Sequence, residues 1–360
     1  PLDRLRIDVQ LLSRAVDAGQ APLQRLGGDP QRLHVLVDRF ARRGEGRVER
    51  CKESFLFFVQ QMWPVFISGK HHKIMADAFE RVANGELKRL IINMPPRHTK
   101  SEFASYLLPA WFLGKFPEKK IIQTAHTAEL AVGFGRKVRN LVQSEVYQKV
   151  FSTELSSDSK AAGRWNTKQG GDYFAIGVGG AVTGKGADIL IIDDPHSEQE
   201  AKQNNPAVYD AVYEWYTSGP RQRLQPGGAI IVVMTRWSKR DLTGQILNNA
   251  AKRSDDEWEV IEFPALMPSG APLWPEFWSQ KELEAIKAEI PVSKWEAQYQ
   301  QNPTPPDGNM IKAAWLGRYD RALERNSFQR VVLSCDPAGK ALAHNDYTAI
   351  TIIGVQKQCL

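Results

Sequence analysis

The chain has 360 residues, a formal net charge of +6 and a pI near 9.1, enough for one sizeable core plus appendages and mildly basic in a way that suits phosphate-backbone contact. Three cysteines, Cys51, Cys335 and Cys359, fit neither a disulfide framework nor a metal-ligand spacing and point to a reducing compartment. No apolar run is long enough to span a bilayer and no signal peptide is visible, which argues against a membrane protein.

Residues 1–50 contain ten arginines and no lysine. Leu2, Leu5, Val9, Leu12 and Val16 fall on helical spacing, and a second helix is expected over 29–43 after Gly27-Gly28. This reads as a helical hairpin appended to the main body of the chain. From Ser54 to Asp77, the aromatics Phe55, Phe57, Phe58, Trp63 and Phe66 read mostly as core. His71 and His72 are adjacent, and neighbouring side chains on a helix diverge, which argues against their use as a metal pair.

Residues 91–101, Ile-Ile-Asn-Met-Pro-Pro-Arg-His-Thr-Lys-Ser, carry the strongest signal. They read as a buried strand ending in a phosphate-binding turn, with Lys100 and Ser101 opening a helix. At such a junction backbone N–H groups wrap a triphosphate, the lysine reaches the β- and γ-phosphates, and the serine hydroxyl ligates Mg²⁺. Pro96, Arg97, His98, Thr99, Lys100 and Ser101 are therefore the expected nucleotide-binding residues. The match is degenerate, because Met94 and Thr99 stand where the pattern has glycine. Glycine tolerates φ > 0, whereas a β-branched threonine is strained there. Either the loop is shaped differently, or nucleotide affinity is modest.

Lys120–Ala125 is a further short strand, leading into a helix expected over 127–150 with Leu130, Phe134, Val138, Leu141 and Val142 as its apolar residues. Ala187 to Asp194 reads as a central parallel strand whose carboxylates, Asp193 and Asp194, emerge at its C-terminal edge. One can hold the Mg²⁺–water shell while the second orients an attacking water. Ala229 to Met234 is another apolar strand, closing on Thr235 and Arg236, where motor ATPases place residues that sense the γ-phosphate. The strand-then-helix rhythm predicts a mostly parallel sheet covered on both faces.

Residues 263–309 hold eight prolines, interrupted by helices expected over 279–289 and 293–301. Pro303 to Gly308 is the clearest linker signal, and the residues before it read as a small lid. Residues 331–353 read as a β-hairpin with Asp336 at the end of its first strand and Asp346 in the turn.

Met-Pro-Pro-Arg-His-Thr-Lys-Ser, then Thr-Ala-His-Thr-Ala-Glu-Leu-Ala, the glycine-rich stretch from Gly177 to Gly186 before Ile-Ile-Asp-Asp-Pro, and Met-Thr-Arg-Trp-Ser-Lys-Arg-Asp-Leu-Thr-Gly follow one another in order. Together they resemble the large terminase subunit of tailed bacteriophages, from about Phe55 onward. The resemblance implies an α/β P-loop (ASCE-type) ATPase that drives double-stranded viral DNA into a procapsid, followed by the start of an RNase H-like nuclease domain. It implies ATP and Mg²⁺ as ligands, with Lys100 and Ser101 on phosphate and metal, Arg97 on the transferring phosphoryl group, and Asp193 on the metal. Related motors often have glutamate where Asp194 stands, so the general base is Asp194 or Glu198. Arg136 or Arg139 could reach a neighbouring subunit's ATP, with Arg136 preferred. Thr235 resembles the residue that couples hydrolysis to motion, and Gln60 or Gln61 could read the adenine edge.

Asp336 matches the first ligand of a nuclease that needs two divalent metals, Mg²⁺ or Mn²⁺, and Asp346 is a possible helper. The remaining carboxylates would lie beyond this sequence, so cleavage is expected of a longer protein rather than of this chain. The implied partners are viral DNA, the portal protein, a small terminase subunit and further copies in a ring, in the host bacterial cytoplasm and transiently at the procapsid portal. The expected divisions are 1–50 as appendage, 51–265 as ATPase core, 266–309 as lid and linker, and 310–360 as the beginning of the nuclease. Two other classes are a helicase-like nucleic-acid-stimulated ATPase, whose further motifs are not visible, and a non-catalytic assembly scaffold, favoured only by Thr99 and Asp194.

Overall fold

The computed structural model describes residues 46–202, 206–252, 257–304, 328–336 and 349–356. Residues 1–45 of the N-terminal helical appendage expected over 1–50, and Asp346, lie outside them. In chain order the elements are α1 (Phe55–Met62), α2 (Lys70–Ala83), β1 (Arg89–Asn93), α3 (Leu108–Lys115), β2 (Lys120–Ala125), α4 (Ala128–Val142) and α5 (Glu145–Gln148). There follow β3 (Leu155–Ala161), β4 (Arg164–Thr167), β5 (Asp172–Gly177), β6 (Ala187–Asp193), α6 (Glu198–Lys202), α7 (Pro206–Ser218), β7 (Leu224–Met234) and α8 (Leu242–Ala250). The last are β8 (Glu259–Glu262), α9 (Gln280–Glu289), α10 (Val292–Lys294), β9 (Phe328–Asp336) and β10 (Ala349–Gln356).

The central sheet is α/β in character, with strand order β3-β4-β5-β2-β6-β7-β1-β8. From β5 through β8 every pairing is parallel. The near-continuous apolar runs of β1 and β6 follow from burial on both faces. Leu90 and Ile92 of β1 pack on one face of the sheet, and Ile91 packs on the other. β6 divides in the same way, Ile189 and Ile191 against Leu190 and Ile192. β7 lies between β1 and β6, so the loop after β1, the aspartates after β6 and Thr235 after β7 all open at one sheet edge.

Three departures from the sequence reading have physical causes. The helix expected over 127–150 ends at Val142, because Ser144 accepts the Tyr147 N–H and starts the separate turn α5. Leu130, expected inside, is 53% exposed, and α4 buries Ala131, Gly135, Val138, Leu141 and Val142. The small residues let α4 lie close to the β3–β4 turn: a Cβ on Gly135 would come within 2.5 Å of the Ala162 carbonyl oxygen. The antiparallel edge formed by β3 and β4 has no counterpart in the sequence reading, because Leu-Ser-Ser-Asp-Ser-Lys-Ala offers no apolar alternation.

Past β8 a separate cluster forms around Ala265, Leu283 and Trp295. Here α9 opens with Ser279 and Glu282 capping each other, and α10 runs into a π-turn over Trp295–Tyr299. β9 and β10 pair as the expected antiparallel hairpin, with Asp336 opposite Ala349.

Candidate functional site

The site is built where β1 stops. Asn93 ends the strand, residues 94–99 turn, and helix begins at Lys100, continuing through a π-segment over Glu102–Leu107. Arg97 and Thr99 take φ of 62° and 70°. Left-handed backbone costs a non-glycine residue about 1–2 kcal/mol, and more for a β-branched one. Thr99 therefore keeps the backbone conformation that glycine adopts freely. Its Oγ1 lies 2.6 Å from His72 Nε2 and 2.5 Å from the His98 carbonyl oxygen.

Lys100 is 7% exposed, and its Nζ lies 2.8 Å from Asp194 Oδ2. Asp194 is itself at a positive φ of 40°, and its Oδ1 accepts the Thr235 N–H at 2.8 Å. The Thr235 hydroxyl donates to the Met94 carbonyl at 3.1 Å, tying the end of β7 to the start of the loop after β1. Asp193, 2% exposed, accepts from Ser101 Oγ at 2.9 Å and Ser105 Oγ at 2.7 Å. Burial, with Asp194 beside it, pushes the Asp193 carboxyl well above the usual range, and Lys100 and the two serines offset only part of this. Gln123 from β2 donates to Ser105 Oγ at 2.9 Å and so anchors the far end of the chain of donors.

Ser101 and Asp193 together present hard oxygen donors side by side, a set that suits Mg²⁺. Lys100 is a nearly buried cation at the loop, of a kind that suits phosphate, and Asp194 is a carboxylate within reach of the same space. Over the loop opens a cavity of about 580 Å³ lined by Arg97, Thr99, Lys100, Ser101, Glu102, Phe277 and Trp278. Its aromatic wall, from the stretch before α9, was not singled out from sequence. Its signal was the aromatic density of Trp-Pro-Glu-Phe-Trp within a proline-rich segment. Ser105 was also missed, although it stands one helical turn beyond Ser101.

Other expected residues fall elsewhere. Gln60 is exposed and Gln61 accepts from Arg47 at 2.5 Å; neither lines the cavity. Glu198 is 58% exposed at its side chain and faces Lys294 at 3.9 Å. Arg139 donates to the Lys160 carbonyl at 2.7 Å, whereas Arg136 stands exposed on the same helix. Arg236, expected beside the γ-phosphate, is 7% exposed and bound through Nε to Asp241, the residue that caps α8. That ion pair fixes Arg236 as a strut of the sheet edge. Asp336 ends β9, and among the described residues no group of three or more His, Cys, Asp or Glu side chains is placed to hold a metal ion. Adjacency on a helix predicts that His71 and His72 diverge. Instead their rings lie 3.8 Å apart, packed under Trp274 in the first turn of α2.

No protein-family model and no curated protein matches the chain. Among solved structures, the large terminase of bacteriophage HK97 aligns with a TM-score of 0.47 at 13% identity, covering 67% of this chain and 52% of that one. The large terminase ATPase domain of Thermus phage P74-26 aligns at 0.39 and 14% identity, covering 63% and 93%. A large terminase from a thermophilic bacteriophage, in complex with ATP-gamma-S, aligns at 0.39 and 9% identity, covering 77% and 64%. The chain spans about half the length of the first of these. No helix among the described residues is long and apolar enough to cross a membrane.

Proposed function

We propose that this chain binds and hydrolyses Mg²⁺–ATP, as the motor subunit of a terminase that moves double-stranded DNA into a viral procapsid. The observation that carries the reading is the convergence of Lys100, Ser101, Asp193, Asp194 and Thr235 at one edge of a parallel sheet, across loops far apart in sequence. The terminase assignment rests on the order of the sequence motifs.

In this reading the triphosphate enters the cavity over the loop, and Lys100 exchanges Asp194 for the β- and γ-phosphates. Ser101 and Asp193 would hold Mg²⁺, which would supply positive charge to offset that of the phosphate oxygens. Released from Lys100, Asp194 is free to orient the attacking water, a role its position fits better than that of Glu198. Arg97, exposed at the cavity mouth, offsets charge on the transferring phosphoryl group. Phe277 and Trp278 offer the base a stacking surface on the lid side, so that nucleotide and lid move together. Thr235 passes the state of Asp194 to the loop and to β7. Arg136, exposed on α4, reaches the ATP of the next subunit in the ring. The β9–β10 hairpin with Asp336 and Asp346 begins the two-metal nuclease, and the portal protein and a small terminase subunit are the assembly partners in the host cytoplasm.

The test is steady-state phosphate release with and without duplex DNA across a salt series. DNA should raise turnover, and the gain should fall steeply between about 50 and 200 mM salt as phosphate contacts are screened. Turnover indifferent to DNA at low salt would contradict the motor role while leaving hydrolysis intact.

A further inference from the structure

The loop contains a non-glycine residue at a position that takes φ of 70°, and the neighbouring packing supplies what holds it there. The Gly69 N–H donates to His72 Nδ1 at 2.8 Å. A backbone N–H can only donate, so Nδ1 carries no proton and the neutral ring bears its proton on Nε2. That N–H points at Thr99 Oγ1, 2.6 Å away, and the threonine hydroxyl passes its own proton toward the His98 carbonyl. Each donor and acceptor in the relay has one direction available.

The ring cannot turn aside. It stacks on Phe103 at 4.8 Å and 29°, meets Phe66 at 4.7 Å, and lies edge-on to Trp274 at 4.9 Å. Burial, with His71 and His98 adding to it, holds the His72 imidazole far below its ordinary pKa, which keeps the ring neutral near neutral pH. Gly69 is needed for the same packing, because a Cβ there would come within 2.8 Å of both the His71 and Trp274 rings.

We propose that His72 is a positioning residue for the phosphate loop: by holding the Thr99 hydroxyl it locks a β-branched residue in the left-handed conformation that glycine reaches unaided. His72 touches no phosphate in this scheme and acts only through Thr99. The proposal deepens the nucleotide-binding reading and rests on it for its affinity readout alone.

The test is a double-mutant cycle on the full chain, with MgATP affinity measured by calorimetry. His72→Phe keeps the ring packing but removes the relay, and should weaken MgATP about tenfold, equivalent to about 1.4 kcal/mol. Thr99→Val, which keeps the branched Cβ and loses the hydroxyl, should weaken it similarly, and the two changes combined should cost little more than either. In a Thr99→Gly background, where no lock is needed, His72→Phe should change affinity by less than about twofold. An undiminished tenfold loss in that background would overturn the proposal, since His72 would then be supporting the fold in general. Hydrogen exchange of residues 94–101 without nucleotide provides the second readout, faster for His72→Phe only when Thr99 is present. If the wild-type chain binds no MgATP, the nucleotide reading falls and the exchange pattern alone decides on the relay.

Discussion

Asp193 shows how the site distributes charge at the level of single groups. Its carboxyl is buried beside Asp194, which favours the protonated form, and the folded state therefore holds this proton to higher pH than the unfolded chain does. The sign follows directly: without metal, the stabilising contribution is present at acid pH and is lost as pH rises from the ordinary carboxylate range towards the raised value. Asp193→Asn should then stabilise the metal-free chain at pH 8 by about 1–3 kcal/mol and leave it unchanged near pH 3, read from denaturant midpoints. The same change should cut ATP turnover at least about a hundredfold. Stability equal to wild type at pH 8 would contradict the buried-charge account. Lys100, Ser101, Asp193 and Asp194 were legible in the sequence because strand, turn and helix onset are local patterns. His72, Phe277 and Trp278 were not, because each meets the loop through packing from a distant segment. Arg236 lies beside Thr235 at the site, but its ion pairs with Asp241, five residues on, and with Glu262 of β8 turn the guanidinium away.

At the level of elements, α4 is placed by what it lacks. Gly135 faces the Ala162 carbonyl, and the Trp165 indole N–H donates to the Gly135 carbonyl at 3.3 Å, so helix and β3–β4 turn meet backbone to backbone. Helix propensity alone says Gly135→Ala should stabilise by about 1 kcal/mol. The contact says the opposite, a loss of about 1–3 kcal/mol through forced separation, and a thermal or denaturant melt distinguishes the two by sign. The strands that flank the site were readable as apolar runs, since a doubly covered parallel strand is apolar at every position. The antiparallel edge was not, because β3 carries polar residues on both sides and β4 is only four residues long, with Trp165 as its single apolar residue. The histidines of α2 and loop residue His98 lie against Trp274 and Trp278, so the loop after β1 is packed directly on the stretch that leads into α9.

For the molecule as a whole, the proposed motor role calls for groups that meet neighbours and an anionic polymer, and the exposed Arg136 and a net charge of +6 are what the chain offers for it. In an assembled, packaging-competent complex, Arg136→Ala should lower turnover about a thousandfold if it completes the next subunit's site; unchanged turnover there would remove it from that role. The parallel character of the sheet was legible, but its strand order was not, since no single motif fixes which strand lies between β1 and β6. The proposed motor stands or falls on the loop after β1 being a working nucleotide site despite Thr99. Its most direct test is Mg²⁺-dependent ATP hydrolysis by this chain, measured beside Lys100→Ala and in excess chelator. Turnover that is present in the wild type, and lost with either the lysine or the metal, is the expected result. Turnover that survives Lys100→Ala, or no MgATP binding by the wild-type chain, would contradict the account.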